Sequence, residues 1–244
     1  MENLSIRPIP LYIGPMQTAK FTYLMNWKEL TSIAGYIWYI EGTKKRVLVD
    51  AGITVEGGMS MNAIRREKPQ EMEDGLAKLG LKPEDIEIII ITHVHKDHME
   101  LAHKFKNAKF IIQKNELEYS LNPHPIDADH FFEKSFYDGL NIETIEGERQ
   151  ILDGITVIPT PGHSVGSQSV AIETAKGKAI ITGFCCSDMN MFPPPEIAKK
   201  MPVITLTIHH DAYKTYDSMI KVKEMSDIVV ASHEPKWCWV DRIG

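Results

Sequence analysis

Residues 86–98 read Ile86-Glu87-Ile88-Ile89-Ile90-Ile91-Thr92-His93-Val94-His95-Lys96-Asp97-His98, a mostly apolar run that leads directly into three histidines and an aspartate. The run is short and rich in β-branched residues, which is typical of a strand buried on both faces of a sheet. His93 and His95 alternate across one extended residue, so both side chains can point the same way. Asp97 and His98 follow in the tight turn beyond and can approach from another side. These residues predict a buried strand with a metal-binding cluster at its end.

The residue types in this cluster are those that hold catalytic metal ions. Imidazole and carboxylate bind borderline ions such as Zn²⁺, Fe²⁺ and Mn²⁺, and catalytic sites use about three protein ligands and leave a position for water. The alternative is a solvated polar loop that happens to be rich in histidine. The chain has 10 histidines in 244 residues, which would rarely cluster in this way by chance. The metal site is therefore the favoured interpretation, and its geometry suits two metal ions.

Two further histidines also follow predicted strands. His163 lies in the Pro-Gly turn of 160–164, after a strand candidate that begins at Ile155. His233 follows the apolar run Ile228-Val229-Val230. In α/β proteins, functional side chains gather on the loops at strand ends. Three separate strands that deliver imidazole to their ends therefore predict one shared site.

The rest of the chain alternates between strand and helix patterns. Strands are predicted over 35–41, 46–50, 109–113, 155–160, 168–173, 179–182 and 228–232, and helices over 70–79, 115–121 and 211–225. Two irregular segments, 122–139 and 192–202, interrupt this order. Long irregular segments in a compact domain are commonly lids or binding loops, or else mobile decoration. The overall pattern indicates an α/β fold.

Composition and charge limit the class of protein. The chain is 43% hydrophobic and 25% charged, as in an ordinary globular protein, which excludes disorder, collagen and coiled coil. Its length fits one large domain over residues 1–244 better than two independent domains. The net charge of -6 leaves no basic surplus for nucleic acid or an anionic membrane, so a small-molecule partner is expected.

Targeting and redox signals favour the cytoplasm. The first residues lack the basic and apolar regions of a secretory signal, and no run reaches the roughly 18 apolar residues of a membrane span. The cysteines are Cys185, Cys186 and Cys238, an odd number with two adjacent, which is not a disulfide framework. A cytoplasmic protein with reduced thiols is therefore expected.

The histidine motifs together resemble those of a known family. The segment His93-Val94-His95-Lys96-Asp97-His98, with the Pro-Gly-His turn at His163 and the late His233, is similar to the metallo-β-lactamase superfamily. Within it, residues 48–52 and 158–174 are most similar to the N-acyl-homoserine lactonase branch. The likeness extends over most of the chain. It implies an αββα sandwich, in which two mixed β-sheets pack face to face and are flanked by helices.

The resemblance also implies two divalent metal ions, with zinc as the first choice and iron or manganese accepted by the same ligands. One ion would be held by His93, His95 and His163, and the other by Asp97, His98 and His233. A hydroxide between the ions would attack a carbonyl carbon. Asp97 would accept the proton of the nucleophile and pass it to the leaving group. Asp50 is interpreted as a residue that orients a ligand histidine, or else as a simple turn residue.

Two positions depart from the family pattern. Relatives carry a bridging aspartate in a Thr-Gly-Asp pattern. In this chain Thr182-Gly183 is followed instead by Phe184, which cannot bind a metal ion. Cys185 or Asp188 could take the bridging position, or the bridge is water alone and the second site is weak. The adjacent cysteines could equally be small buried hydrophobes. The tyrosine that lactonases use to polarise substrate aligns with Ser187.

Four residues are candidates for binding substrate. His209 and His210 precede a predicted helix with Asp211 as its N-cap, and either could donate a hydrogen bond to a substrate oxygen in place of the missing tyrosine. Phe131 and Phe132 would form the wall of an apolar pocket. The plainer interpretation gives the histidines no role in the site and places the phenylalanines in the ordinary core.

These features favour a metal-dependent hydrolase that opens a lactone or a related cyclic amide of a small molecule. A thioesterase that resembles glyoxalase II is the alternative within the superfamily, since its metal motif is nearly the same, and a non-catalytic metal-binding relative is a third hypothesis. A flavodiiron redox protein is disfavoured because relatives of that type carry a glutamate where this chain has His95. A nuclease is disfavoured because the chain is acidic and has no basic tract. Relatives often form dimers, so a homodimer is a candidate assembly.

Overall fold

Six strands form the first of two β-sheets in a computed structural model, which describes residues 3–54, 56–57, 71–128 and 134–244. They are β1 (Ser5–Gln17), β2 (Leu30–Glu41), β3 (Val47–Val49), β4 (Ile88–Ile90), β5 (Lys109–Gln113) and β6 (Asn141–Ile145). Their spatial order follows the chain from β1 to β6. The pairs β1–β2 and β2–β3 are antiparallel, whereas β3 to β6 run parallel. The first sheet is therefore mixed.

The second sheet is mixed as well. Its strands are β7 (Arg149–Leu152), β8 (Ile155–Pro159), β9 (Gln168–Thr174), β10 (Gly177–Ile181) and β11 (Ile228–Val230). They lie in the order β11-β10-β9-β8-β7, and β11 runs parallel to β10 while the other pairs are antiparallel.

Helices cover the outer faces and connect the strands. They are α1 (Met72–Ala77), α2 (Lys96–Met99), α3 (Lys114–Leu121), α4 (Pro125–Ala128), α5 (Asp188–Met191), α6 (Pro195–Ala198) and α7 (Ala212–Met225). Short 3-10 helices span Thr18–Lys20, Pro83–Asp85, Ala102–Lys104, Lys134–Tyr137 and Pro235–Trp239. The predicted N-cap of α7 is confirmed, because the Asp211 side chain accepts the backbone N–H groups of Tyr213 and Lys214 in the first turn of that helix. Across the described segments, none of these helices has the length and apolar character needed to cross a bilayer.

The hydrophobic core is divided by the two sheets. Between the sheets, Trp38 of the first packs in one cluster with Val170 of the second. On the outer face of the first sheet, Ile89 shares a cluster with residues of α1. On the outer face of the second sheet, Ile180 shares a cluster with residues of α7. The predicted order of helix, sheet, sheet and helix is therefore confirmed.

The strand β4 is buried on both faces, as its sequence predicts. Ile88 and Ile90 belong to the cluster between the sheets, whereas Ile89 belongs to the cluster under the helices. The strand lies between parallel neighbours, β3 and β5. The strand β4 is therefore held on both sides, and the loop that follows starts from a well-defined position.

The strand β1 is not predicted by the sequence pattern. It contains Pro8, Pro10 and Pro15, and proline cannot donate a hydrogen bond to a neighbouring strand. Proline is tolerated on edge strands and at bulges, and β1 lies at the edge of its sheet with a shift in register between Pro10 and Tyr12. The position of the strand in the sheet explains how this sequence can be extended.

Candidate metal centre

The ends of four strands bring the predicted ligands and the orienting residue Asp50 together. Asp50 follows β3, and residues 93–98 follow β4, its parallel neighbour. His163 follows β8 of the second sheet, and His233 follows β11. Loops from both sheets therefore meet at one edge of the sandwich, where parallel strands end.

His93, His95 and His163 form the first ligand group, whose ring nitrogens lie within 4.8 Å of one another. All three side chains are buried. His93 Nε2 and His163 Nε2 face each other at 3.1 Å, and the rings of His93 and His95 meet edge to face with centroids 4.6 Å apart. Two facing ring nitrogens need a proton or a cation between them, because their lone pairs repel. These imidazoles could together hold one metal ion.

Asp97, His98 and His233 form the second ligand group, whose ligand atoms also lie within 4.8 Å of one another. Asp97 Oδ2 is 3.5 Å from His98 Nε2 and 3.7 Å from His233 Nε2. Both nitrogens are buried, and within the described part of the chain neither has a hydrogen-bond partner. A buried polar atom without a partner is costly, and a coordinated cation would satisfy both. One carboxylate and two imidazoles therefore fit a divalent metal ion.

Backbone carbonyl oxygens hold the outer nitrogens of two ligand histidines. His163 Nδ1 lies 2.6 Å from the Ile208 oxygen, and His233 Nδ1 lies 2.9 Å from the Ala34 oxygen. Because a carbonyl oxygen can only accept, each Nδ1 donates its hydrogen, and Nε2 of the neutral ring keeps its lone pair. Such a bond fixes both the tautomer and the ring orientation of a metal-binding histidine.

Asp50 makes the corresponding bond to His98. Asp50 Oδ2 lies 2.7 Å from His98 Nδ1, and the same carboxylate accepts the backbone N–H of Thr92 at 2.8 Å and its hydroxyl at 3.0 Å. Asp50 adopts a φ of +63°, which is uncommon for residues other than glycine, although aspartate tolerates it better than most. The carboxylate thus joins the ends of β3 and β4 to the His98 ring.

Burial and neighbouring charges set the protonation of the ligands. Burial, together with nearby imidazoles, holds the pKa of His93 and of His95 well below the usual range. Burial also lowers the pKa of His163 to about 4. For Asp97, burial alone would raise the pKa, but the adjacent histidines, His98 foremost, lower it to about 2. These residues therefore present neutral imidazole and carboxylate at neutral pH, the forms that bind metal ions.

The pKa of His98 is shifted upward, in contrast to those of His93, His95 and His163. Burial lowers its pKa, but the carboxylates of Asp97 and Asp50 outweigh this effect and raise the pKa to about 9. The second ligand group therefore attracts a positive charge. A proton and a metal cation would compete for His98, so metal binding there would release a proton.

The loop after β10 carries the two candidates for a bridging ligand. Phe184, at the position of the family's aspartate, is fully buried in the outer core of the second sheet. Asp188 lies at the start of α5 and pairs with Lys236 at 2.5 Å. Burial and the carboxylate of Asp97 raise the pKa of the Cys185 thiol well above its usual range. Over the described residues, neither candidate belongs to the two ligand groups, but Cys185 is near enough to Asp97 for the charge of that carboxylate to act on its thiol.

A cavity of about 270 Å³ adjoins the first ligand group. Its lining includes His95, Tyr119, Ile126, His163, His209 and His210. The structure therefore brings both candidate substrate histidines to a cavity that reaches the ligands, and α4, within the irregular segment 122–139, contributes Ile126. Phe131 and Phe132 lie outside the described residues.

Two buried residues near the ligands are not identified by the sequence motifs. Tyr12 of β1 donates its hydroxyl hydrogen to Asp97 Oδ2 at 3.3 Å. Gly35 leaves room for its ring, since a Cβ there would lie 2.1 Å from Tyr12 Cε1. Glu116 of α3 accepts a hydrogen bond from the backbone of Val94, between two ligand histidines. No local pattern marks either residue, because these bonds join positions 85 and 22 residues apart.

The chain matches a family of known proteins in sequence. The family model of the metallo-beta-lactamase superfamily matches residues 30–183. An N-acyl homoserine lactonase from Bacillus cereus is 29% identical over 164 residues, which cover 63% of this chain and 64% of that relative. The aligned part thus spans less than two thirds of the relative's length.

Solved structures match the fold over nearly the whole chain. A variant of B. thuringiensis AiiA with N-decanoyl-L-homoserine bound at the active site has a TM-score of 0.77 and 21% identity, and the match covers 97% of this chain and 95% of that one. AidC, a dizinc quorum-quenching lactonase in complex with the product N-hexanoyl-L-homoserine, has a TM-score of 0.74 and 18% identity, with 99% and 91% covered. At these identities the likeness supports the fold alone. The family model matches more than half of this chain, and the chain folds into two mixed sheets flanked by helices. The chain therefore belongs to the metallo-β-lactamase superfamily.

Proposed function

We propose that the protein is a metal-dependent hydrolase that opens a lactone, or a related cyclic amide, of a small molecule. The observation that carries the proposal is the pair of buried ligand groups, the first of which lines a cavity of about 270 Å³. The Bacillus cereus relative is an N-acyl homoserine lactonase, which supports a lactone as the substrate class. Imidazole and carboxylate are common zinc ligands, so zinc is the metal that we propose, as in AidC, a dizinc lactonase of the same fold.

His93, His95 and His163 are the proposed ligands of one ion, and the second ligand group holds the other. When bound, the ions would polarise a carbonyl oxygen and lower the pKa of a coordinated water to about 7. Oriented imidazoles favour this binding, because the bonds at Nδ1 keep each Nε2 lone pair directed inward. We assign the same orienting role to Asp50 for His98.

Asp97 is the residue that we propose transfers the proton. A carboxylate beside a reacting water can accept its proton and deliver it to the leaving oxygen. The hydroxyl of Tyr12 donates to Asp97 Oδ2 and limits the rotation of that carboxylate. His209 and His210 line the cavity and are proposed to donate hydrogen bonds to the substrate.

The first test is to count metal atoms and to offer a panel of substrates. We expect two zinc ions per chain, and turnover of lactones in preference to thioesters and cyclic amides. Turnover of thioesters alone would replace the proposal with a thioesterase that resembles glyoxalase II. Zinc that raises the melting temperature while no member of the panel is hydrolysed would indicate a non-catalytic metal-binding relative.

Cys185 is the bridging candidate that we favour, because its thiol lies near enough to Asp97 for that carboxylate to raise the thiol pKa, whereas Asp188 is paired with Lys236. We expect Cys185→Ser to lower the zinc content from about two ions to about one per chain, since a thiolate is a strong zinc ligand and a hydroxyl is not. Asp188→Asn is the matched control and should retain both ions. Elemental analysis after dialysis makes the measurement. Two ions in the Cys185→Ser protein would exclude the thiolate as a ligand.

A further inference from the structure

Glu116 is a buried carboxylate in the first turn of α3, and only 1% of its surface is exposed. It accepts three hydrogen bonds. The backbone N–H of Val94 donates to Oε1 at 3.0 Å, while the Ser164 hydroxyl and the Gly166 N–H donate to Oε2 at 2.8 and 2.7 Å. Burying a carboxylate is costly unless its oxygens are satisfied, and these three donors satisfy it.

The donors belong to the two loops that carry the first ligand group. Val94 lies between His93 and His95, and Ser164 directly follows His163. Val94 and Gly166 both lie outside the strands. Their buried N–H groups therefore need an acceptor other than a neighbouring strand, and Glu116 supplies it for both loops.

The start of α3 packs directly against the second of these loops. A Cβ at Gly166 would lie 2.6 Å from the backbone nitrogen of Glu116 and 2.3 Å from Asn115 Oδ1, so only glycine allows this approach. The Asn115 side chain also donates to the Val165 carbonyl oxygen at 3.3 Å. The loop that carries His163 is therefore seated on the helix that carries Glu116.

We propose that Glu116 is a positioning residue that sets the metal affinity of the first ligand group by holding its two loops together. The inference rests on the proposed metal centre. Three imidazoles from two loops bind one ion tightly only if the loops keep their separation, and residues that orient the ligands commonly change metal affinity by 10- to 100-fold. Asp50 holds Thr92 and His98 in a comparable way, so each ligand group has its own buried carboxylate.

The experiment measures zinc affinity at each ligand group by competition with a coloured chelator. In a His233→Ala background, which disables the second group, Glu116→Gln should weaken zinc binding by about 10- to 100-fold, because the amide nitrogen cannot accept the bonds that the carboxylate oxygen accepts. In a His163→Ala background, which disables the first group, the same change should leave zinc binding unchanged. Glu118→Gln, an exposed position on the same helix, is the matched control and should bind zinc as the parent does.

Two outcomes would overturn the inference: a Glu116→Gln protein with the parent's affinity at the first group, and an equal loss at both groups, which a purely structural role would produce. Ser164→Ala removes one donor and should cause a smaller loss at the first group, so it decides the matter if Glu116→Gln does not fold. Parental affinity in Ser164→Ala would then refute the proposal.

A parent chain that binds no zinc would refute the metal centre together with this inference. A parent that binds zinc normally but opens no lactone would refute only the proposed activity.

Discussion

Replacing His93 with alanine is expected to lower lactone hydrolysis by at least about 10³-fold, since transition-state stabilisation by a metal ion is worth several kcal/mol and each 1.36 kcal/mol is tenfold in rate. His93 is buried at the centre of the site, 3.1 Å from His163 Nε2, with its ring centroid 4.0 Å from that of His98. Its loss removes one of the three ligands proposed for the first ion. We therefore expect the zinc content to fall by about one ion per chain as well.

Elemental analysis, circular dichroism and the rate on the best lactone of the panel together measure this effect. His103→Ala is the matched control, because His103 is exposed and bonds to the carbonyl oxygen of Glu100. It should keep the parent's rate and metal content. A folded His93→Ala protein with the parent's rate would exclude metal-assisted hydrolysis at this site.

The second large effect is expected for Gly162→Ala, next to His163, a proposed ligand. Gly162 has a φ of +128°, where side chains are rarely tolerated, and a Cβ there would lie 2.2 Å from Thr215 N and 2.6 Å from Thr215 Cα. Both atoms belong to the backbone of α7 and cannot rotate away. The Gly162 carbonyl also accepts the N–H groups of His210 and Asp211. The turn and the helix must therefore separate to admit a methyl group.

We expect Gly162→Ala to destabilise the metal-free protein by about 3 kcal/mol or more, through backbone strain and overpacking together. For a chain of this size the melting temperature should fall by roughly 10 °C. Thermal unfolding in the presence of a chelator makes the measurement without the stabilisation that metal binding adds.

Gly80→Ala is the control that separates the clash from the backbone strain. Gly80 has a φ of +70°, and the described structure places nothing within 4 Å of the position of its Cβ. Only the cost of a left-handed backbone, about 1–2 kcal/mol, should then appear. Equal losses of stability in the two variants would show that the contact between Gly162 and Thr215 carries no energetic weight.

Much of the fold could be predicted from local patterns. The central strand β4, the strand β5 and the helix α7 follow from apolar periodicity, turn residues and an aspartate N-cap. The edge strand β1 could not be predicted, because its three prolines argue against a central strand and only its place at the sheet edge makes them acceptable. Residues such as Asn141–Ile145 of β6 lack a clear alternation, since their burial depends on what packs above them.

The ligand types at the site were also present in the sequence. His93, His95, Asp97 and His98 lie within six residues, so the backbone between them limits where each side chain can point, and the motif alone indicates a metal site. The sequence could not predict which oxygen accepts the Nδ1 hydrogen of each histidine. The Ile208 carbonyl reaches His163, and the Ala34 carbonyl reaches His233, only through the packing of distant segments.

By itself, then, the sequence determined the residue types of the candidate ligand cluster at 93–98 and the alternation of strands and helices, since both depend on residues that are close along the chain. The tertiary structure alone decided that Tyr12 donates a hydrogen bond to Asp97 and that Glu116 accepts hydrogen bonds from the loops of His93 and His163. Those contacts depend on how sheets and helices pack, and packing is a property of the whole chain that short-range spacing does not encode.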